Sequence, residues 1–265
     1  MQDTLEFTDL LRLIDDRSHA FRAAISAAPD LDVRVPTCPE WTLYDLAKHL
    51  GEGRRVWAAT VAAGPDATGK AVPQGDWTAP RDREDLPAWL AASTRLLLDA
   101  LREAGPDRRC WAFWGRSQSP RTATGVARRQ LHEIAVHTYD AQLTVGAAQP
   151  VPEEVALDGV EEFLSTFGTT DVAWPHEPAV VDYHAAEGRS WRSLLSDDGS
   201  RLARLPAPGA QPGPDGTPAV AADASMAGTA SELVLALHDR IPQESLKLDG
   251  DLRLFEQLME WDPER

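Results

Sequence analysis

Apolar residues recur at near-helical spacing over residues 4–28, where Leu5, Leu10, Leu11, Ile14, Phe21, Ala24 and Ile25 fall on one stripe. Pro29 and Asp30 end that pattern, and VRVPTCPEW follows as a proline-bearing connector. Thr42 is placed to cap a second helix, with Asp45 at its third position as the other half of a capping box. That helix runs through His49 and Trp57 to about Ala63. Residues 64–82, rich in Gly, Pro, Asp and Ala, read as a loop. A third helix is expected over roughly 83–104, then a short connector bearing Cys110, Trp111, Phe113 and Trp114. A fourth begins near Thr122 or Thr124 and continues to about Thr144. Four long amphipathic helices with mostly modest links predict a four-helix bundle.

The pattern changes at GAAQPVPEE, 146–154, which reads as a linker. Beyond it, one helix over 155–167 precedes the short strand-like runs AVVDYHAA, SWRSLLSD, SRLARLPA and AVAADASM. PAPGAQPGPDGTP, 206–218, reads as a flexible loop or hairpin excursion. TASELVLALHDR is helical in pattern, SLKLDGD a strand and turn, and LRLFEQLMEW a closing helix. The chain therefore divides into a helical domain over 1–148 and a smaller α+β domain over 149–265, with no internal repeat.

The 265 residues suffice for one large domain or two ordinary ones, and 43% are hydrophobic, as in a soluble globular protein. No apolar run reaches the length of a membrane span, and MQDTLEFTDLLRLIDD lacks the basic and apolar regions of a secretory signal, so a cytoplasmic location is the default expectation. A formal net charge of −16 repels phosphate backbones and anionic lipid, which argues against nucleic-acid and membrane partners. Two cysteines, Cys38 and Cys110, are too few for paired CxxC zinc knots. Nine tryptophans are many for this length, and most are expected in the core.

The strongest chemical signal is RRQLHEIAVHTYD, 128–140. Glu133 and His137 stand four apart, so their side chains share one face of a helix. Such a pair can hold a metal from one side, or can simply be a weak surface ion pair. A catalytic zinc site takes three protein ligands and leaves one position open, so a third must come from another helix. His49, midway along the second helix, is the candidate. His132 points roughly 100° away from Glu133 and is read as non-ligating. Asp140, three after His137, and Asp45, four before His49, are each either an acceptor for a ligand imidazole or a surface charge. Cys38 has no His or Asp/Asn partner at a telling spacing and is read as a small buried thiol. There is no nucleophile elbow, Walker loop or dinucleotide fingerprint, and His19, His176, His184 and His238 stay unassigned.

VPTCPEWTLYDLAKHLGE, 35–52, taken with RRQLHEIAVHTYD, resembles the mycothiol-dependent maleylpyruvate isomerase family, whose N-terminal part is a DinB-like bundle. Both halves of its pattern, P-x-W-x-x-x-D-L-x-x-H-L and R-x-x-H-E-x-x-x-H, are present in order. The resemblance implies zinc on His49, Glu133 and His137, and mycothiol as the thiol cosubstrate. MAGTASELVLALHDR, 226–240, followed by LKLDGDLRLFEQL, is similar to the family's small α+β domain, which is related to sterol-carrier folds. A catalytic Arg in some members corresponds to Arg240 here, although an Arg at a helix C-terminus also serves as a dipole partner.

These features predict a metal-dependent, mycothiol-using enzyme acting on a small electrophile. In the isomerase reaction that the resemblance implies, the thiolate adds to a conjugated double bond, the bond rotates, and elimination gives the trans isomer. An alternative is a mycothiol S-transferase in detoxification or biosynthesis. Another, of a different class, is a non-catalytic metal-containing binding protein. A structural zinc site normally has four protein ligands, and three good ones are present.

Overall fold

The computed structural model describes residues 4–75, 77–206 and 221–261. They form two compact units: one takes the chain up to Gly115 together with Pro120–Val151, and the other takes Arg116–Ser119 with the residues from Pro152 on.

The first unit is a bundle of α1 (Phe7–Ala27), α2 (Leu43–Ala63), α3 (Leu86–Ala104) and α4 (Ala123–Thr144). Each presents a buried apolar stripe, Leu10, Ile14, Phe21 and Ile25 on α1 for instance, and burying those stripes against one another drives the assembly. α1 packs on α4 and α3, and α2 on α3 and α4. Leu43, Leu46 and Leu50 of α2 meet Leu86 and Leu90 of α3 and Ile134 of α4 in one core cluster. α2 and α3 approach closely at Gly51, where a Cβ would come within 1.9 Å of the Trp89 ring. One turn later the Arg55 guanidinium lies over that ring, 5.1 Å from its centre.

Where a proline-bearing connector was expected, β1 (Arg34–Val35) and β2 (Cys38–Thr42) form an antiparallel hairpin. Its strands are too short to show alternation, and backbone bonds from Leu43 N to Val33 O and Tyr44 N to Leu31 O stitch it to the start of α2. The Thr42–Asp45 capping box forms as expected. α3 starts three residues later than its periodicity suggests. Arg83 is drawn away to donate to the carbonyls of Ser26, Ala28 and Pro29 at the end of α1, and Pro87 opens the helix.

The second unit sets α5 (Glu153–Thr166), α6 (Ala230–Leu237) and α7 (Arg253–Glu260) with a five-stranded mixed sheet of β3 (Ala179–Ala185), β4 (Ser190–Ser196), β5 (Gly199–Arg204), β6 (Ala224–Gly228) and β7 (Lys247–Gly250). The strand order is β5-β4-β3-β6-β7, with β3 and β6 parallel and the other pairs antiparallel. Register places Tyr183 beside both Trp191 and Met226, and Val181 beside both Ser193 and Ala224. Trp191 is fully buried, its indole N–H donating to Glu161. A second capping box, Thr229 with Glu232, starts α6. The excursion expected over 206–218 lies outside the described residues except for Pro206.

Of the nine tryptophans, Trp57, Trp114, Trp174 and Trp191 are buried, Trp41 and Trp89 are half-buried against the core cluster of the first unit, and Trp77, Trp111 and Trp261 are half-buried. Among the described residues no helix is long and apolar enough to cross a membrane.

Candidate metal centre

Glu133 and His137 lie one turn apart on α4, facing the stretch of α2 that carries His49. One ligand atom from each of the three lies within 4.8 Å of the others. Glu133 Oε1 is 2.9 Å from His49 Nε2 and 3.5 Å from His137 Nε2. The two imidazoles meet edge to face at 5.3 Å between ring centres.

Each donor is held by a neighbour. His137 Nδ1 is 2.8 Å from Asp140 Oδ2, and Asp140 is itself fully buried and accepts from the Thr37 hydroxyl at 2.6 Å. With Nδ1 held by the Asp140 carboxylate, Nε2 is the ring nitrogen that faces Glu133 and His49, where a bound ion would take the place of its proton. Glu133 Oε2 accepts from buried Arg129 at 2.8 Å, which leaves Oε1 for the cluster. Trp41, at the end of β2, covers the rings, 4.7 Å from His49 and 6.1 Å from His137 between centres. The His49 side chain keeps 41% of its surface, against 9% for His137, so the cluster opens to solvent on the α2 side.

The charges are set accordingly. Burial pushes the Glu133 carboxyl up, but hydrogen bonds from His137 and His49 and the charge of Arg129 outweigh it and hold the group well below its ordinary value. Burial lowers the His137 pKa, and Asp140 and Glu133 together more than reverse that. Arg54, fully buried in α2 and donating to the Thr94 hydroxyl, is pushed down to about 9 by burial and by Arg22, against the opposing pull of Glu133 and Asp15.

Two imidazole nitrogens and one carboxylate oxygen, converging with an open side, fit a borderline divalent ion such as zinc. Of the two aspartates weighed as partners for a ligand imidazole, Asp140 takes that position. Asp45 does not: its carboxylate accepts from the Thr42 backbone N–H and hydroxyl at 3.0 and 2.7 Å. His132 is buried and outside the cluster. Cys38 is half-buried, not buried, with Sγ 4.0 Å from Asp140 Oδ2. Arg240 lies in the second unit, in the turn after α6, where its guanidinium donates to the His238 carbonyl at 2.5 Å.

Sequence reasoning missed three supporting residues. Arg129 was legible as an i,i+4 partner of Glu133. Trp41 lay inside the quoted motif without a role. Thr37 carried no signal at all, because it acts across a gap of 103 residues in sequence.

Residues 11–142 match the model of the mycothiol maleylpyruvate isomerase N-terminal domain, and residues 154–257 match that of the MDMPI C-terminal domain. Among solved structures, one of the mycothiol-dependent maleylpyruvate isomerase is 13% identical, with a TM-score of 0.57. One of a histidine-to-alanine mutant is also 13% identical, with a TM-score of 0.56. Each alignment covers 92% of this chain and 93% of the other. At that identity the likeness is one of fold. No curated protein matches the sequence.

Proposed function

Since the chain belongs to the mycothiol maleylpyruvate isomerase family of enzymes through both its domains, we propose that it is a zinc-dependent enzyme in which His49, Glu133 and His137 hold the ion and mycothiol supplies the reacting thiol. The observation that supports this is the convergence of those three donors with an exposed His49 on one side. A divalent ion held there would lower the pKa of a thiol that reaches it, making a nucleophile available at neutral pH.

The chain's own residues do the positioning. Asp140 orients the His137 ring, Arg129 aims the Glu133 carboxylate, and Trp41 walls one side of the approach. In the proposed reaction the mycothiol sulfur adds to the conjugated double bond of a maleylpyruvate-like substrate. The former alkene carbons rotate about a single bond, and the same sulfur leaves, so mycothiol is regenerated. Arg240 is proposed to bind a substrate carboxylate through two N–H donors. Arg240→Lys should then raise KM for maleylpyruvate more than it lowers kcat.

The test is metal analysis of the purified protein, followed by mycothiol assays with maleylpyruvate and with a chlorinated dinitrobenzene. Thiol-dependent isomerisation that is lost on chelation is the expected result. An S-conjugate without isomerisation would identify a mycothiol S-transferase instead. Stoichiometric metal with neither activity would identify a binding protein.

A further inference from the structure

The helix-facing side of the sheet in the second unit is not filled by its own side chains. A cavity of about 290 Å³ lies between it and the helices, walled by Phe163, Phe167, Met226, Phe255 and Trp261. Close-packed interiors leave few voids larger than a water molecule, and ligand pockets begin near this size. Two hydroxyls line it, those of Tyr183 on β3 and Ser193 on β4. Both residues are at least nine-tenths buried, and neither side chain meets a hydrogen-bond partner among the described residues. Buried polar groups in native proteins are normally satisfied, so a pair of hydroxyls facing an aromatic-walled cavity points to a ligand that answers them.

The lining also states what the ligand is not. Among the described residues it contains no Lys, Arg or His, and the one charged residue among them is Asp239, which is exposed and held at φ 58°. A carboxylate or phosphate would find no counter-charge among those residues and would have Asp239 beside it. Phe167 and Met259 leave apolar surface exposed beside the cavity, 46% and 64% of each residue, which suits entry of an apolar molecule. Burial holds the Tyr183 phenol above its ordinary pKa, so it remains a neutral donor.

We propose that this cavity is a binding site for a small neutral apolar molecule, aromatic or aliphatic, that carries one oxygen function hydrogen-bonded by Tyr183 and Ser193. It shares no residue with the metal centre and does not depend on the reaction proposed above.

The test is calorimetric titration of the full chain, treated with chelator, with 2-naphthol, naphthalene and 2-naphthoate. One-to-one saturable binding of 2-naphthol is expected, with naphthalene and 2-naphthoate each weaker by about tenfold or more. The Tyr183→Phe/Ser193→Ala double variant should bind 2-naphthol about tenfold more weakly while leaving naphthalene unchanged. A thermal midpoint like that of the parent protein shows that the variant is folded. Binding should persist in His137→Ala, which separates this site from the metal centre. No saturable binding, equal affinity for 2-naphthoate, or undiminished binding by the double variant would overturn the proposal.

Discussion

Asp140 and Asp45 stand in similar relation to a candidate ligand along the sequence, three and four positions away on a helix, yet the structure gives them different work. Asp45 sits in the first turn of α2, where the free N–H of Thr42 competes for its carboxylate and takes it. Asp140 sits in the last turns of α4, where backbone donors are already used, so its carboxylate turns to His137 and Thr37. Asp140→Asn is therefore expected to weaken zinc binding by about 10–100-fold, read by competition with a chelator of known affinity. Asp45→Asn should leave that affinity unchanged, and a comparable loss in both variants would contradict the assignment. Spacing alone pairs Glu133 with His137, because an i,i+4 relation is local. It does not single out His49 or Thr37, whose partners lie far away along the chain.

At the scale of elements, the long helices were legible because their apolar stripes repeat over five or six turns. The β1–β2 hairpin was not, since strands of two and five residues beside prolines leave no period to read. The cap of α2 can be tested directly. Thr42→Ala should cost about 1 kcal/mol in urea unfolding at neutral pH. The Asp45 half of the box adds a pH dependence, because bonding to Thr42 holds the Asp45 carboxyl below its ordinary value. A depressed folded-state pKa means that its contribution is fully present above the unfolded value near 3.8 and fades as pH falls through the folded one. The difference between parent and Asp45→Asn should thus shrink only in acid, and a difference that instead grew on acidification would contradict the cap. Packing between α2 and α3 depends on Gly51 for a different reason. Gly51→Ala gains roughly 1 kcal/mol of helix propensity. It also drives a methyl into Trp89, an overpacking cost of about 1–3 kcal/mol, so a net loss of stability is expected, relieved in the Gly51→Ala/Trp89→Leu double variant.

Across the whole molecule, the change of pattern near residue 150 was legible because a run of long helices gives way to short strands, a contrast of period that needs no tertiary information. The inclusion of Arg116–Ser119 in the second unit was not, since it rests on side-chain bonds such as Arg116 to Asp171 and Gln118 to Leu202. The net charge of −16 bounds partners and leaves the reaction open. The cavity of the second unit was likewise invisible, since lining residues such as Phe163, Tyr183, Met226 and Phe255 read alone as ordinary core. What joins these scales is the claim that three side chains on two helices hold an ion that acts on an external thiol. Ultraviolet titration of the mycothiol thiolate in the presence of zinc-loaded protein tests it most directly. The account predicts a thiol pKa below that of free mycothiol with the parent protein, and no shift with His49→Ala or His137→Ala. An unshifted pKa with one zinc bound per parent chain would contradict it.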